Sequence, residues 1–341
     1  MTSVKNFSIY EEATSEELGR GEFVFTDDYS VFDWGKMPDK IESKGKSLCT
    51  MGAYNFELLE DEGIETHYIG VREDAVSLEE ADEAPERMSI RLTQVPDLEF
   101  DEKTGEYDYE SFHDEGGDNY LIPLEIVFRN SVPIGSSLRK RKEPADVGLD
   151  YDDWPDDHVD LDSPIVEFST KFEDKDRYLN EDEASEISGK AEIEELRETA
   201  SEVNRVVTER ADEVGLSHED GKIECLYYDG DILVADVVGT FDENRFLYDG
   251  EQISKEFLRG FYKGYDPDWV SAVEDAKKEA DERDVADWKS LCEADPKPLP
   301  DETAATASEL YTSGANLYTG RNWFDAPELA EVVEKMRRQT S

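Results

Sequence analysis

Eighty-seven Asp and Glu against 36 Lys and Arg leave this 341-residue chain with a formal charge of −51. Self-repulsion of that size opposes any compact state, and low hydrophobicity with high net charge is the usual mark of disorder. Yet sixteen Tyr, fifteen Phe and five Trp are available for a core, and the acids are mixed into periodic segments rather than gathered in one tail. A folded protein adapted to molar salt reconciles the two, because the screening length there falls to about 3 Å. The same charge excludes a nucleic-acid scaffold, which needs basic surface against phosphate. No run approaches about 18 consecutive apolar residues, so no membrane span is expected. The opening MTSVKNFSIYEE lacks a basic stretch followed by an apolar core, so no secretory signal is expected. Three widely spaced cysteines, Cys49, Cys225 and Cys292, suit free thiols in a reducing cytoplasm.

Periodicity predicts an α+β chain of two lobes. FSIYEEA and EFVFTDDYSVFDW alternate like strands, residues 47–62 turn helical with Gly63 at the C-terminal end, and THYIGV and MSIRLTQV read as two more strands. Residues 97–119 and 143–163 are acidic and without a sustained period, and read as exposed loops, the first at or near a domain boundary. NYLIPLEIVFRNSV is a strongly apolar strand between them. From about 183 to 213 one long helix is expected, with Ile193, Leu196, Ala200, Val203, Val207, Ala211 and Val214 on one stripe and Gly215 as its stop. GKIECLYYDGDILVADVVG reads as a β-hairpin turning at Asp229-Gly230. The last fifty or so residues are helical in pattern, then Pro/Thr/Ala-rich, then helical again. The expected division is 1–120, a strand-rich lobe; 121–290, an α/β lobe with the hairpin; and 291–341, a helical tail. A cleft between the lobes is the default place for a ligand.

Zinc, thiol and serine-triad chemistry find no support. His67, His113, His158 and His218 are far apart, and no CxxC, GxSxG or GxxxxGK[ST] occurs. In a chain so short of cations, the placement of each one carries more weight. Arg129 ends IPLEIVFR and is followed by Gly135, Ser136 and Ser137, a set of guanidinium, hydroxyl and backbone donors that suits a phosphate. An ordinary strand-end arginine before a tight turn would look the same. Asp220, Lys222 and Glu224 alternate along one strand and share a face. Whether Asp236 joins them depends on the turn. A two-residue loop puts it on the opposite face, whereas a three-residue loop sets it against Lys222 with Glu224 diagonal. Two carboxylates converging beside a lysine would suit Mg²⁺ on a nucleotide, and a salt-bridged polar face on an exposed hairpin is the plainer reading. Lys5, Lys171, Asp242, Arg245 and Lys255 are single charges whose setting alone does not separate site from surface.

Taken in order, VFTDDYSVFDWGKMPDKIESKGKSL (24–48), HYIG, IPLEIVFRNSVPIGSS (122–137), SPIVEFSTKFEDKDRYLNEDE (163–183), DGKIE (220–224), ILVADVVGTFDENRF (232–246) and SKEFLR (254–259) resemble the SAICAR synthetases, the phosphoribosylaminoimidazole-succinocarboxamide synthases of purine biosynthesis. The resemblance covers most of residues 1–260. It implies a two-lobed fold with an ATP-grasp-like nucleotide cleft, and a ligase that uses ATP and Mg²⁺. In such an enzyme the carboxylate of an imidazole ribotide is phosphorylated by ATP, and the amine of L-aspartate displaces phosphate to form an amide. By that resemblance Arg129, Ser136, Asp242, Arg245, Asp33 and Lys255 are substrate-binding. Lys5, Lys171 and Glu224 hold the nucleotide, Glu224 and Asp236 the metal, and Lys222 and Asp220 are catalytic. The family's N-terminal hairpin carries Gly-Lys-x-Lys/Arg; here Val4 precedes Lys5 and Phe7 stands at the second cation. The implied partners are small molecules, with no nucleic acid or membrane, and a homo-oligomer is compatible with this reading. Two rival readings are a divergent nucleotide-binding relative acting on another carboxylate, and a non-catalytic acidic protein that binds Ca²⁺ or mimics DNA.

Overall fold

The computed structural model describes residues 4–101, 103–283 and 285–340, which form two large antiparallel sheets and one two-stranded ladder with helices packed around them. The first sheet has the order β1-β2-β4-β3, from β1 (Lys5–Glu11), β2 (Gly19–Phe25), β3 (Tyr68–Val71) and β4 (Arg87–Leu92). Helix α1 (Lys44–Asp61) connects β2 to β3, and Gly63, left-handed at φ 83°, follows its end as the sequence predicts. The expected strand character of residues 26–36 is not realised. That segment is a loop tied by an isolated Asp28–Lys40 bridge, because Asp27 and Asp28 turn inward to accept bonds from the Gly45 N–H and from Lys36.

Residues 97–119 are more ordered than their composition suggests. They hold a short ladder of β5 (Phe100–Asp101) and β6 (Glu106–Tyr107), then helix α2 (Tyr109–Gly116). Asp108 caps that helix through the Ser111 N–H, and Phe112 is fully buried. The apolar run after it divides at Pro123 into β7 (Asn119–Leu121) and β8 (Leu124–Val132), because proline has no N–H to give a ladder. The second acidic stretch contains a 3₁₀ turn at Pro144–Val147 and the start of β9 (Val159–Thr170). The single long helix expected from 183 to 213 is two: α3 (Glu181–Ser188) and α4 (Ile193–Glu213), broken at Gly189, whose φ of 72° no helix accommodates. The apolar stripe belongs to α4, which lays Leu196, Ala200, Val203, Val207 and Ala211 on β8 and β10.

Strand β10 (Ser217–Tyr228) is the axis of the second sheet. Its first half pairs with β8 and with β12 (Asn244–Tyr248); its second half pairs with β7 and with β11 (Asp231–Ala235). Strand β9 lies outside β8, and β13 (Glu251–Gln252) outside β12. The Thr66–Val234 bridge joins the two sheets, and one hydrophobic cluster runs from Phe23 to Met336. Helices α5 (Glu256–Tyr265), α6 (Pro267–Arg283), α7 (Asp301–Thr319) and α8 (Leu329–Thr340) complete the chain. Part of the Pro/Thr/Ala-rich segment is thus helical, with α7 packed on α1. No helix among the described residues is long and apolar enough to cross a membrane.

Between α4 and the sheet lies a buried polar knot. Asn244 accepts the Gly239 N–H at 3.1 Å, so its amide nitrogen faces His218 Nε2 at 2.9 Å. That nitrogen must accept, which leaves the proton on Nδ1, 2.8 Å from Thr208 Oγ1. Burial disfavours the imidazolium and pushes the His218 pKa down to about 4. An unfolded histidine titrates near 6.5, so the unfolded chain binds a proton that the folded one refuses. Stability present above pH 6.5 should therefore be lost as pH falls toward 4, by on the order of 3 kcal/mol from this group. Unfolding free energy against pH, at constant high salt, should be less steep for His218→Asn than for the wild type across that window. Equal slopes would show that the ring is not held neutral.

Candidate active site

One face of β10 organises the charged residues. Asp220 pairs with Arg129 of β8 on one side and with Arg245 of β12 on the other, so the three stand in a row across adjacent strands. Arg245 Nε donates to Asp220 Oδ1 at 2.8 Å and its Nη2 bonds Oδ2. Arg129 Nη1 reaches the same Oδ2 at 3.3 Å, while its Nε donates to Glu167 Oε2 at 3.0 Å and its Nη2 to the Tyr178 hydroxyl at 3.2 Å. Arg129 and Asp220 are both buried, and a buried charge persists only where it is paired. Burial works against the Arg245 cation, but Asp220 outweighs it and raises the pKa. Arg141 shares Glu167 with Arg129 and stacks 3.3 Å above the Tyr178 ring. A cavity of about 750 Å³, lined in part by Arg141, Glu167, Tyr178 and Arg197, opens beside this row.

Two residues along β10, Lys222 Nζ lies 2.5 Å from Glu125 Oε1 and 3.8 Å from Glu243 Oε2. Burial would lower its pKa, but the charges of Glu243, Glu125 and Glu224 overcome that and raise it. Lys222 is therefore a persistent cation, suited to stabilising developing negative charge and unsuited to taking a proton. Two residues further, buried Glu224 is ion-paired with Lys171, the first residue beyond β9. Burial, then the charge of Asp236, lifts Glu224 above the usual carboxylate range. Asp236 itself is held below that range: desolvation is overcome by Lys5, Lys171 and Lys222. Lys5 bonds the Asp236 carboxylate directly, its ammonium 4.3 Å from the centre of the Phe23 ring.

The hairpin turn that sequence left open is the two-residue one. Glu224 pairs with Ala235 and Tyr228 with Asp231, and Asp229 and Gly230 are both left-handed (φ 49° and 102°), as a type I′ loop demands. Continued, that register would turn Asp236 away from Glu224. Asp236 escapes it because the strand ends at Ala235 and Asp236 adopts φ 61°, a conformation that Asp tolerates better than most residues. Lys222 accordingly takes Glu125 and Glu243, not Asp236, as its ion-pair partners.

Asp242 is half-buried, its carboxylate held between Lys44 Nζ (2.6 Å) and the Tyr311 hydroxyl (2.7 Å). Burial raises its pKa less than Lys44 and Lys255 lower it. Lys255, half-buried at the start of α5, also acts on Asp33. Asp33 is left-handed (φ 58°), exposed, and paired with Lys277 at 2.5 Å. Ser136 is buried, and its hydroxyl accepts the Leu138 N–H at 3.3 Å at the start of a 3₁₀ turn, while Ser137 is exposed. Sequence reading missed Glu125, Glu167, Asp176, Glu243, Lys44 and Tyr311. Glu125 was within reach, since it alternates with Arg129 along β8. Asp176, exposed and facing the charge of Glu125, joins through a loop and left no local signal.

Comparison with known proteins places this geometry. The SAICAR synthetase family model matches residues 5–276. A protein of Archaeoglobus fulgidus that carries a provisional phosphoribosylaminoimidazole-succinocarboxamide synthase name is 42% identical over 347 aligned positions, covering 99% of each chain. The phosphoribosylaminoimidazole-succinocarboxamide synthase of Thermoplasma acidophilum is 33% identical, over 88% of this chain and 93% of its own. Among solved structures, the SAICAR synthase of Saccharomyces cerevisiae complexed with SAICAR superposes with a TM-score of 0.60 at 20% identity, over 95% of this chain and 94% of that one. With the match spanning four-fifths of its length and close relatives along the rest, the chain belongs to the SAICAR synthetase family.

Proposed function

We propose that this chain is an ATP-dependent ligase that joins L-aspartate to the carboxylate of 5-amino-1-(5-phosphoribosyl)imidazole-4-carboxylate. The products are the succinocarboxamide, ADP and phosphate, in de novo purine biosynthesis. The observation that carries this reading is the layout of β10. At one end two arginines flank Asp220, and about 13 Å along the strand lie Glu224 and Asp236 with three lysines. One substrate can thus be anchored by its sugar phosphate at the arginines while its carboxylate reaches the nucleotide end.

In this reading Arg129 and Arg245 take the ribotide phosphate as bidentate donors, with Asp220 aligning both guanidinium planes. Ser136, Asp242, Asp33 and Lys255 complete the substrate side. Lys5 and Lys171 face the nucleotide phosphates, and Lys222, kept charged by its acids, stabilises the transferring phosphoryl group. Glu224 and Asp236 fit Mg²⁺: they are desolvated, mutually repelling and two in number, the count that Mg²⁺ on a nucleotide typically takes beside phosphate oxygens. When bound, Mg²⁺ would neutralise charge on the phosphates; Lys5 and Lys171 would then shift from the carboxylates to the nucleotide. The cleft is assigned to the junction of a lobe at 1–120 and one at 121–290. Acidity and buried free thiols at Cys49 and Cys225 support a cytoplasmic enzyme of a salt-adapted cell.

Incubation of the chain with the ribotide, ATP, Mg²⁺ and L-aspartate in high salt should yield ADP and the succinocarboxamide in equal amounts. Nucleotide binding without that product would favour the divergent relative. Glu224→Gln should raise the Mg²⁺ concentration for half-maximal activity at least about tenfold, the loss expected from removing a charged partner. An unchanged Mg²⁺ dependence would take Glu224 out of the metal site. On dialysis into dilute buffer, far-ultraviolet circular dichroism should report unfolding. A thermal midpoint that stayed level or rose would contradict salt adaptation.

A further inference from the structure

The loop at 236–243, between β11 and β12, joins the two ends of the site, and the C-terminal helix α7 holds it at two points directly and at a third through Asn55. Tyr311 Oη donates to Asp242 Oδ1 at 2.7 Å. Gly314 lies against Phe241 so closely that a Cβ there would come within 2.1 Å of the ring. Tyr318 Oη donates to Asn55 Oδ1 at 2.8 Å, and Asn55 Nδ2 in turn donates to the Gly239 carbonyl at 3.2 Å. The helix is also pinned near the start of α1, where Ser308 Oγ bonds the Glu42 carbonyl at 2.7 Å. Helix α7 lies wholly beyond residues 5–276, the span matched by the family model.

Asp242 is the centre of this arrangement. Lys44 holds one carboxylate oxygen and Tyr311 the other, so both the position and the plane of the group are set. Lys44 is 1% exposed and Tyr311 1% exposed. Burying an ammonium and a carboxylate together contributes little net stability, since desolvation offsets their attraction. What the pair and the hydroxyl do supply is a preorganised carboxylate three residues before Arg245.

We propose that Tyr311 is a positioning residue of the ligase. Through Asp242 it sets the loop so that the ribotide end of the site is formed before substrate arrives. The inference rests on the reading of Asp242 as substrate-side. It makes α7 part of the working enzyme, although α7 contributes no group to the reacting atoms. The effect belongs in ribotide affinity, because the hydroxyl acts on ground-state geometry through Asp242 and bonds none of the residues assigned to the nucleotide.

The test compares Tyr311→Phe, which removes only the hydroxyl, with Tyr120→Phe. Tyr120 is an equally buried tyrosine whose hydroxyl bonds the Ser188 carbonyl, away from the site. Both variants and the wild type are assayed in high salt with ribotide, ATP and L-aspartate, alongside thermal unfolding. Tyr311→Phe should raise the ribotide KM about tenfold, as expected for a lost bond to a charged group, with kcat within about twofold and the ATP KM unchanged. Tyr120→Phe should leave all three constants at wild-type values. A Tyr311→Phe enzyme that matches the wild type, matches the Tyr120→Phe enzyme, or loses kcat without a change in KM overturns the inference alone. A wild type that forms no product overturns the functional reading and this inference with it.

Discussion

A charged group taken out of water must find an opposite charge and enough hydrogen-bond partners to replace its hydration. Along β10 that requirement is met strand by strand: Asp220 between two arginines, Lys222 among Glu125 and Glu243, Glu224 against Lys171. The sheet makes this economical in space, because a period of two puts alternate residues on one face while Ile223 and Cys225 enter the core from the other. The acids thereby keep the cations charged and in place. In the proposed reaction, phosphate groups of the substrates take over partners that the carboxylates otherwise hold.

The second element of the design is the chain leaving β11. A strict hairpin would carry Asp236 to the wrong face, and the left-handed conformation at that one residue redirects it to Lys5 and Glu224. Such a departure holds only where the surroundings specify it. Here His67 Nε2 lies 3.2 Å from the Asp236 carbonyl, Asn244 and Asn55 take the peptide groups of Gly239, and Tyr311 and Lys44 fix Asp242. The loop is thus held at once from the residue before β3, from β12, from α1 and from α7, and α7 is itself packed against α1.

Much of the fold was legible because amphipathic periods report burial directly. The stripe from Leu196 to Ala211, the alternation of Asp220, Lys222 and Glu224, and the Asp-Gly turn each lie within a window of local sequence. Gly189 was the exception: it ends α3 before the apolar stripe of α4 begins, through one backbone angle. Phe112 and α2 were hidden in an acidic stretch, where surrounding charge masked a single buried anchor. Ser136 could not be told from Ser137 by spacing; burial and the capping bond to Leu138 separate them.

By its residues alone the chain determined its class, its acidic character, the alternating charges of β10 and the order of motifs that marks its family, since each depends on local pattern or chain order. Which charges meet was decided only in three dimensions. Lys5 and Asp236 are separated by 231 positions, Lys44 and Asp242 by 198, and Asp242 and Tyr311 by 69. No short-range rule links such pairs, because their approach follows from how two sheets and the helix α7 share one core.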